Sequence, residues 1–329
     1  MSRGVALLGA VVVAAAVWWG TASRAPQPTT LAGPLPPVPH GAATALLPLA
    51  DGLAVGGDGG GISIRDAAGA VRHAWTAHAG PVRRLWVDGG ALYSAGADGS
   101  VARWRFDGRR LDRWRLADHA LNDAARGADG AIVVGGDRGV VARIDAAGWI
   151  ARGSHGRATF AVALSPDGAE ALTGGADGRI VRWAVADGAP LAAAAVTTGW
   201  VTAVHWDARW RLVGASDGRL SVWQGPGEAP ARVVAVEGGA IVALAVEGDR
   251  AVVGSEDGRA RVVALATGAV GPTLDPAEAP VGPTTAVALA GERAWTGGRD
   301  DRIRAWRVTD GERLATLPAV IADPSPREF

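Results

Sequence analysis

A serine nucleophile is the first chemistry that the sequence offers. Gly214-Ala215-Ser216-Asp217-Gly218 satisfies the G-x-S-x-G pattern of a hydrolase nucleophile elbow, which requires a sharp turn from a strand into a helix. Equivalent stretches stand at 174–178 and 254–258, with Ala176 and Glu256 in place of the serine, and a β-type segment follows each of them. The pattern therefore predicts a turn between two strands and not a catalytic serine.

Phosphate binding by a glycine-rich loop and thiol chemistry are also excluded. Gly56-Gly57-Asp58-Gly59-Gly60-Gly61 is rich in glycine, but Ile62-Ser63-Ile64 continues it as a strand, so we expect no helix N-terminus there to hold a phosphate. The sequence contains no cysteine and no lysine, which removes disulfides, thiolate metal sites, Schiff bases and a P-loop lysine. The formal net charge is zero, so nothing in the overall charge attracts nucleic acid.

One short phrase recurs along most of the chain, and the candidate residues above belong to it. Its aspartates are separated by 39 to 43 residues and stand at Asp58, Asp98, Asp137, Asp177, Asp217, Asp257 and Asp300. An Asp-Gly pair forms a tight turn. After the second copy Ala102, Trp104 and Phe106 share one face and Arg103 and Arg105 the other, as in a half-buried strand. A period of about 40 residues is typical of four-stranded propeller blades.

The period, the Asp-Gly turn and a tryptophan six residues further on resemble the WD-repeat β-propeller family, over residues 40–317. The resemblance implies a hydrogen-bonded tetrad of a blade-start His, a Ser or Thr, the turn Asp and the Trp. The matching residues are His78, Ser94, Asp98 and Trp104 in one copy, His155, Thr173, Asp177 and Trp183 in another, and Thr296, Asp300 and Trp306, without the histidine, in the last. Other copies depart from the pattern, with Arg65-Asp66, Ile144-Asp145 and Val263 where the family has Trp or Trp-Asp.

We therefore predict an all-β fold, a seven-bladed β-propeller of four-stranded antiparallel blades preceded by an N-terminal hydrophobic helix. Four of the six histidines, His40, His78, His119 and His155, fall near blade starts. Because blade starts lie around a ring and not in one pocket, we interpret these histidines as structural and expect no metal site. His73 and His205 stay unassigned. The last blade either completes itself with 314–317 or borrows an early strand near 31–38; the prolines of the early segment favour the first alternative.

Residues 1–23 differ in kind from the rest. Gly4 to Gly20 is a run of 17 residues without a charge, preceded by Arg3 and closed by Trp18-Trp19, which favours a single-span transmembrane anchor with the propeller on the outer, periplasmic side. The alternative is a cleaved signal peptide, although bulky residues stand near the cleavage region. Residues 24–39 form a proline-rich linker, and 318–329 a C-terminal tail.

Two surfaces are candidates for binding a partner. The resemblance implies docking on the rim that carries the Asp-Gly turns, where Trp200, Glu256 and Arg299 are the larger side chains. The second surface is a cluster in blade two, made of Arg103, Arg105, Arg109, Arg110, Arg113 and Arg115; it is either a solvated outer strand pair or a docking site for an anionic surface.

Together these features favour a non-enzymatic scaffold, without a cofactor, that binds other membrane or periplasmic subunits and no nucleic acid. The alternatives are an exported propeller enzyme or a small-molecule sensor that uses the central channel.

Overall fold

The computed structural model describes residues 41–116, 119–127, 129–144, 150–151, 154–225, 227–275 and 282–319. The expected N-terminal helix, the linker and most of the tail lie outside the described residues, as does His40. Among the residues described, no helix is long and apolar enough to cross a membrane.

The described residues form seven four-stranded antiparallel sheets, each built from four strands that are consecutive in the chain. The all-β, seven-bladed prediction is thereby confirmed. Numbered in chain order, with blade one comprising β1 to β4 and so on, the strands are β1 Ala43–Leu49, β2 Gly52–Gly57, β3 Gly61–Asp66, β4 Val71–Thr76, β5 Val82–Asp88, β6 Ala91–Gly96, β7 Ser100–Trp104, β8 Arg110–Arg115, β9 Leu121–Arg126, β10 Ile132–Gly136, β11 Val140–Arg143, β12 Ile150–Ala151, β13 Thr159–Leu164, β14 Glu170–Gly175, β15 Arg179–Ala184, β16 Pro190–Ala195, β17 Val201–Trp206, β18 Trp210–Ala215, β19 Arg219–Gln224, β20 Arg232–Ala235, β21 Ile241–Glu247, β22 Arg250–Ser255, β23 Ala260–Ala264, β24 Ala269–Leu274, β25 Thr284–Ala290, β26 Arg293–Gly298, β27 Arg302–Arg307 and β28 Arg313–Pro318.

The recurring aspartates lie in the turns that join the second and third strands of the blades. The residue after the aspartate is a left-handed glycine in four blades, for example Gly178 with φ of 73°. Arg138 and Asp301 adopt the same conformation at φ of 58° and 56°, although side chains disfavour it. In blade seven the turn is thus kept without a glycine, while in blade three the left-handed Gly139, with φ of 67°, follows Arg138.

The first strands form the wall of a central channel. The first strand of every blade contacts the first strands of both neighbouring blades, from β1 around to β25 and back to β1. Each first strand also contains a β-bulge that leaves its second residue out of register with the second strand. These bulge residues are Thr44, Arg83, Asn122, Phe160, Thr202, Val242 and Thr285. A bulge re-aims side chains and increases strand twist.

The apolar core is divided into seven layers, one between each pair of neighbouring blades. The layer between blades seven and one contains Ala43, Val55 and Ile303. At the same place Thr285 Oγ1 donates to Ala43 O at 2.7 Å, and Arg65 Nη2 donates to Ala319 O at 3.2 Å. The ring therefore closes by packing between two complete blades, and β28 supplies the fourth strand of the last one. The prediction that the last blade completes itself is confirmed; β28 includes Pro318, one residue beyond the expected propeller boundary.

Candidate binding face and central channel

One end of the ring carries both the Asp-Gly turns and the segments that enter the first strands, and we call it the binding face. The two are joined by backbone hydrogen bonds, such as Asp58 N to Ala42 O and Ala176 N to Ala158 O, both at 2.9 Å. The residue that precedes the first strand is therefore held against the turn in each of these blades. On the turn side Asp58 is exposed and Ala176 is half-buried, while Ala42 before the first strand of blade one is buried.

In blade two the turn is anchored by a chain of buried side chains. Trp104 Nε1 donates to Ser94 Oγ at 2.9 Å, and Ser94 Oγ lies 2.7 Å from His78 Nε2. His78 Nδ1 lies 3.0 Å from Asp98 Oδ1. Because the carboxylate only accepts, Nδ1 carries the proton and Nε2 accepts from the serine hydroxyl. Every donor in this tetrad has one acceptor.

The Asp98 carboxyl is the most strongly held group of that tetrad. Burial alone would raise its pKa, but hydrogen bonds from His78, Ser100 and Ala79 outweigh the burial, and the pKa is lowered. Arg113 Nη2 also lies 2.8 Å from Asp98 Oδ2. The Asp98 carboxylate therefore holds the turn in place.

Blade four repeats the arrangement. Trp183 Nε1 donates to Thr173 Oγ1 at 2.8 Å, and His155 joins Thr173 Oγ1 at 2.8 Å to Asp177 Oδ1 at 3.0 Å. Burial lowers the pKa of His155, and the hydrogen bond to Asp177 only partly offsets it. The ring is fully covered, so it is a neutral structural link at pH 7.

The histidine ring needs a glycine two residues before the turn aspartate. A Cβ at Gly175 would lie 2.4 Å from His155 Cγ, and a Cβ at Gly96 would lie 2.3 Å from His78 Cγ. Blades five and six, which have no blade-start histidine, carry a side chain at the corresponding place, Ala215 and Ser255, whereas blade seven, which also has none, keeps Gly298. The sequence repeat contains this signal, but only the structure gives its reason.

Blades six and seven hold their turns with arginine. Arg261 Nη2 donates to Asp257 Oδ2 at 2.8 Å and Arg261 Nη1 to Ser255 Oγ at 3.3 Å. In blade seven Arg304 Nη2 lies 2.5 Å from Asp300 Oδ2, while Trp306 Nε1 donates to Thr296 at 2.8 Å. Both arginines stand four residues after the turn aspartate and are buried. Of the three side chains expected in blade seven, Trp306 bonds Thr296 directly, while Asp300 is bonded by Arg304.

Trp200 is the outlier of the binding face. The residues that precede the first strands are otherwise small or proline, namely Ala42, Pro81, Ala120, Ala158, Ala240 and Pro283. Trp200 is 51% exposed, and its ring lies 5.8 Å from that of the bulge residue Phe160 at an angle of 50°. Its backbone is fixed because Trp200 N donates to Ser216 Oγ at 2.8 Å. A large aromatic side chain is therefore presented to solvent from a rigid support.

Glu256 and Arg299 lie on the same face, each one residue before a turn aspartate. Glu256 Oε2 is 3.4 Å from Ala240 N. Arg299 lines a small cavity between blades six and seven together with Pro283, Asp300 and Arg304. Both side chains are placed where a partner on this face would meet them.

The arginine cluster of blade two is partly neutralised within its own blade. Arg103 lies 3.2 Å from Asp112, Arg105 lies 3.3 Å from Asp107, and Arg113 is on Asp98. Arg109 and Arg115 make no ion pair among the described residues, and burial lowers the pKa of Arg110. Aspartates of the same blade, two in turns and one on the paired strand β8, thus cancel about half of the charge counted along the sequence.

The central channel contains ionisable side chains that the sequence repeat did not indicate. Arg84 and Asp123 follow the bulges of β5 and β9, and Arg84 Nε lies 3.8 Å from Asp123 Oδ1. His205 on β17 is hydrogen-bonded to Asp207 Oδ2 at 2.9 Å. Burial raises the pKa of Asp123 and lowers that of His205. Among the described residues no group of three His, Asp or Glu side chains is arranged to hold a metal ion.

Comparison with known proteins adds the fold alone. No protein-family model matches the sequence, and no curated protein matches it either. The crystal structure of a computationally designed protein, Ika8, is similar with a TM-score of 0.63 and 21% sequence identity, over 83% of this chain and 98% of that chain. At this identity the similarity extends to the propeller architecture and not to a site.

Proposed function

We propose that the chain is a WD-repeat-type propeller that acts as a non-enzymatic interaction module, tethered to a membrane by its N-terminal segment. In this proposal the binding face docks onto other membrane or periplasmic subunits. Trp200 is the anchor of the contact, and Glu256 and Arg299 lie on the same rim.

The exposed Trp200 carries the proposal. Tryptophan is enriched among the residues that dominate interface energetics, especially where it is held in a fixed orientation. Here Ser216 fixes the backbone and Phe160 supports one side of the ring. Trp200 is 51% exposed on this rim, and a binding role accounts for that exposure.

The rest of the face supports binding better than catalysis. Asp98 and Asp177 are engaged by histidines, and Asp257 and Asp300 by arginines. Carboxylates that are tied to a partner in the fold are not available as an acid, a base or a nucleophile. The frame is rigid, while the side chains that face solvent differ from blade to blade.

The membrane tether rests on the uncharged run from Gly4 to Gly20 and on Trp18-Trp19. Its length suits a single span, and tryptophan is favoured at membrane interfaces. The linker at 24–39 would then hold the binding face away from the lipid surface, where a second subunit has access to it.

The test is a mild-detergent pull-down of the full-length protein from its native membranes. The wild type is expected to retain partners in fixed stoichiometry, and a Trp200→Ala, Arg299→Ala double variant is expected to lose them. Leu191→Ala is the matched control, since Leu191 is also exposed but lies on the outer strand β16. A protein that is recovered alone in every case would contradict the proposal.

A further inference from the structure

Strand β5 differs from the other six first strands at its bulge. Its bulge residue is Arg83 and the next residue is Arg84. At the position of Arg84 five blades have alanine, namely Ala45, Ala161, Ala203, Ala243 and Ala286, and blade three has Asp123. Blade two alone therefore brings two adjacent cations to the channel wall.

Solvent reaches these arginines through the channel. Strand β5 is paired with β6 on its outer edge and is packed between the first strands of blades one and three. Its remaining edge faces the channel. Arg83 is exposed, and the Arg84 side chain is 49% exposed. Both guanidinium groups therefore lie in the channel or at its mouth on the binding face.

The two guanidinium groups have unused hydrogen-bond donors. Within the described part of the chain neither arginine makes a hydrogen bond, and the nearest carboxylate to Arg84 is Asp123 at 3.8 Å. Asp123 is already engaged, because its oxygens accept from Ala124 N and Val162 N at 2.9 Å. A guanidinium carries five N–H donors in a planar fork that matches carboxylate and phosphate oxygens.

The opposite wall of the channel, in blade five, also carries an ionisable residue, His205. His205 belongs to blade five, which contacts neither blade two nor its immediate neighbours one and three through its first strand. Burial lowers the pKa of His205, and the positive charge of Arg84 lowers it further. Since blades two and five are not adjacent, this charge acts across the channel. The guanidinium of Arg84, which is half-exposed and 3.8 Å from Asp123 of blade three, therefore lies on the channel side of β5.

The balance of charge at this level favours an anion. Arg83 and Arg84 contribute two positive charges and Asp123 at most one negative charge, while the remaining residues beside the bulges are alanine. Walls of low polarity concentrate the field of such charges. Arginine pairs with an oxyanion by charge-assisted hydrogen bonds that are stronger than neutral ones.

We propose that the central channel binds a free small oxyanion, a carboxylate or a phosphate, between Arg83 and Arg84 of blade two. This site is separate from the proposed docking through Trp200, because it lies on the channel wall and needs no partner protein. Binding of the anion and docking of a partner can therefore be tested independently.

Calorimetric titration of the purified full-length protein in detergent tests this proposal. Sodium phosphate and sodium succinate serve as separate probes at matched pH and ionic strength, and they distinguish a phosphate from a carboxylate site. We expect saturable binding of at least one probe at one site per chain. In the Arg83→Gln, Arg84→Gln double variant the affinity is expected to fall by at least about tenfold, the equivalent of losing one charge-assisted hydrogen bond.

Arg219→Gln is the matched control, since Arg219 is an exposed arginine on β19, the third strand of blade five, and belongs neither to the channel wall nor to the arginine cluster of blade two. Its affinity is expected to equal that of the wild type, and the melting temperature of each variant without ligand reports whether it is folded. The proposal is overturned if neither probe binds saturably, if the folded double variant binds as tightly as the wild type, or if Arg219→Gln weakens binding equally.

Discussion

Blades four and six hold the same turn in the same place by different means. In blade four the blade-start residue His155 reaches down to Thr173 and across to Asp177. In blade six the exposed Glu237 stands at the corresponding position, four residues before the first strand, and a Cβ on the next residue, Gly238, would lie 2.6 Å from Arg261 Nη1. The guanidinium of Arg261, which comes from the third strand, fills the space of the missing ring and bonds Asp257.

The turn aspartate requires a buried N–H donor, and the two blades supply it from different places, the loop in blade four and a strand in blade six. The residue two before the aspartate suits the donor in these two blades: Gly175 makes room for a histidine, and Ser255 Oγ accepts from Arg261. Blade seven combines Arg304 with Gly298, so the histidine requires a glycine there but the arginine does not exclude one.

The largest expected effect follows from that steric link. Gly175→Ala places a methyl group 2.4 Å from His155 Cγ, which forces the buried ring out of the tetrad. We expect a loss of about 2 to 4 kcal/mol in the free energy of unfolding, from overpacking and the broken hydrogen bonds. Gly298→Ala, the equivalent change in blade seven, meets its nearest atom, Pro283 O, at 3.3 Å and is expected to cost less than about 1 kcal/mol. Chemical denaturation of both variants measures these losses. Equal losses would show that the histidine ring does not require a glycine at position 175.

The arginine-based network is tested by Arg261→Met. The substitution keeps the aliphatic volume and removes the donors to Asp257 and Ser255, so we expect a loss of about 1.5 to 3 kcal/mol. Arg259→Met is the comparison, because the partly exposed Arg259 lies on Asp275 at 2.8 Å and only 3.7 Å from Asp257, and a smaller loss is expected. If thermal melts show that Arg261→Met is neutral, arginine does not replace the histidine in this blade.

How far the sequence predicts the fold is visible in the same blades. The aspartate spacing, the Asp-Gly turns and the alternation of Trp104 with Arg103 and Arg105 were sufficient to predict seven four-stranded blades, because turn geometry and strand period are local properties. The completion of the last blade by its own fourth strand also followed, from the prolines that disfavour an early strand.

The site was less predictable because its contacts cross between strands. Blade six looked degraded in the sequence because Val263 stands at the tryptophan position, and the repeat did not indicate that Arg261, four residues after the aspartate, bonds it. The arginine cluster looked more basic than it is, because Asp98 reaches Arg113 from the turn between β6 and β7 and Asp112 reaches Arg103 from the paired strand β8. Aligning the first strands of the seven copies would have shown Arg84 and Asp123 as exceptions in a column of alanines.

A third prediction compares complete and incomplete histidine networks. Asp177→Ala removes the acceptor of buried His155, and we expect a loss of about 1 to 3 kcal/mol. Asp217→Ala removes exposed contacts with Thr197 Oγ1 at 2.9 Å and Arg219 N at 3.1 Å. Because Val213 stands where blade four has Thr173, no buried histidine network is broken, and the change is expected to cost less than about 1 kcal/mol. Equal shifts in melting temperature would show that the tetrad of blade four does not form in solution.

The smallest expected effect concerns pH. The folded-state pKa of His155 is lowered by burial, so below about pH 6.5 the unfolded chain binds a proton that the folded chain does not, and stability falls as the pH falls. In blade six the pKa of Asp257 is lowered despite burial, because Arg261 and Arg259 favour the carboxylate. That contribution is lost only below about pH 4.

Melting temperatures between about pH 7.5 and 5.5 measure this difference. His155→Gln is expected to show a shallower decline than the wild type over that range. His205→Gln measures the contribution of the other histidine whose pKa burial lowers. Arg261→Met is expected to show the same dependence of melting temperature on pH as the wild type. A wild-type slope in His155→Gln would contradict the assignment.

The proposed function depends most directly on one contact, between Trp200 of the binding face and another protein. A photo-reactive phenylalanine analogue placed at residue 200, or at residue 191 on the outer strand as the control, tests it in living cells that express the full-length chain. Irradiation is expected to give one discrete crosslinked product of higher mass from position 200 and none from position 191, with the captured protein being a membrane or periplasmic subunit. If position 200 yields no crosslink, or if both positions capture the same range of proteins, the binding face is not a docking surface.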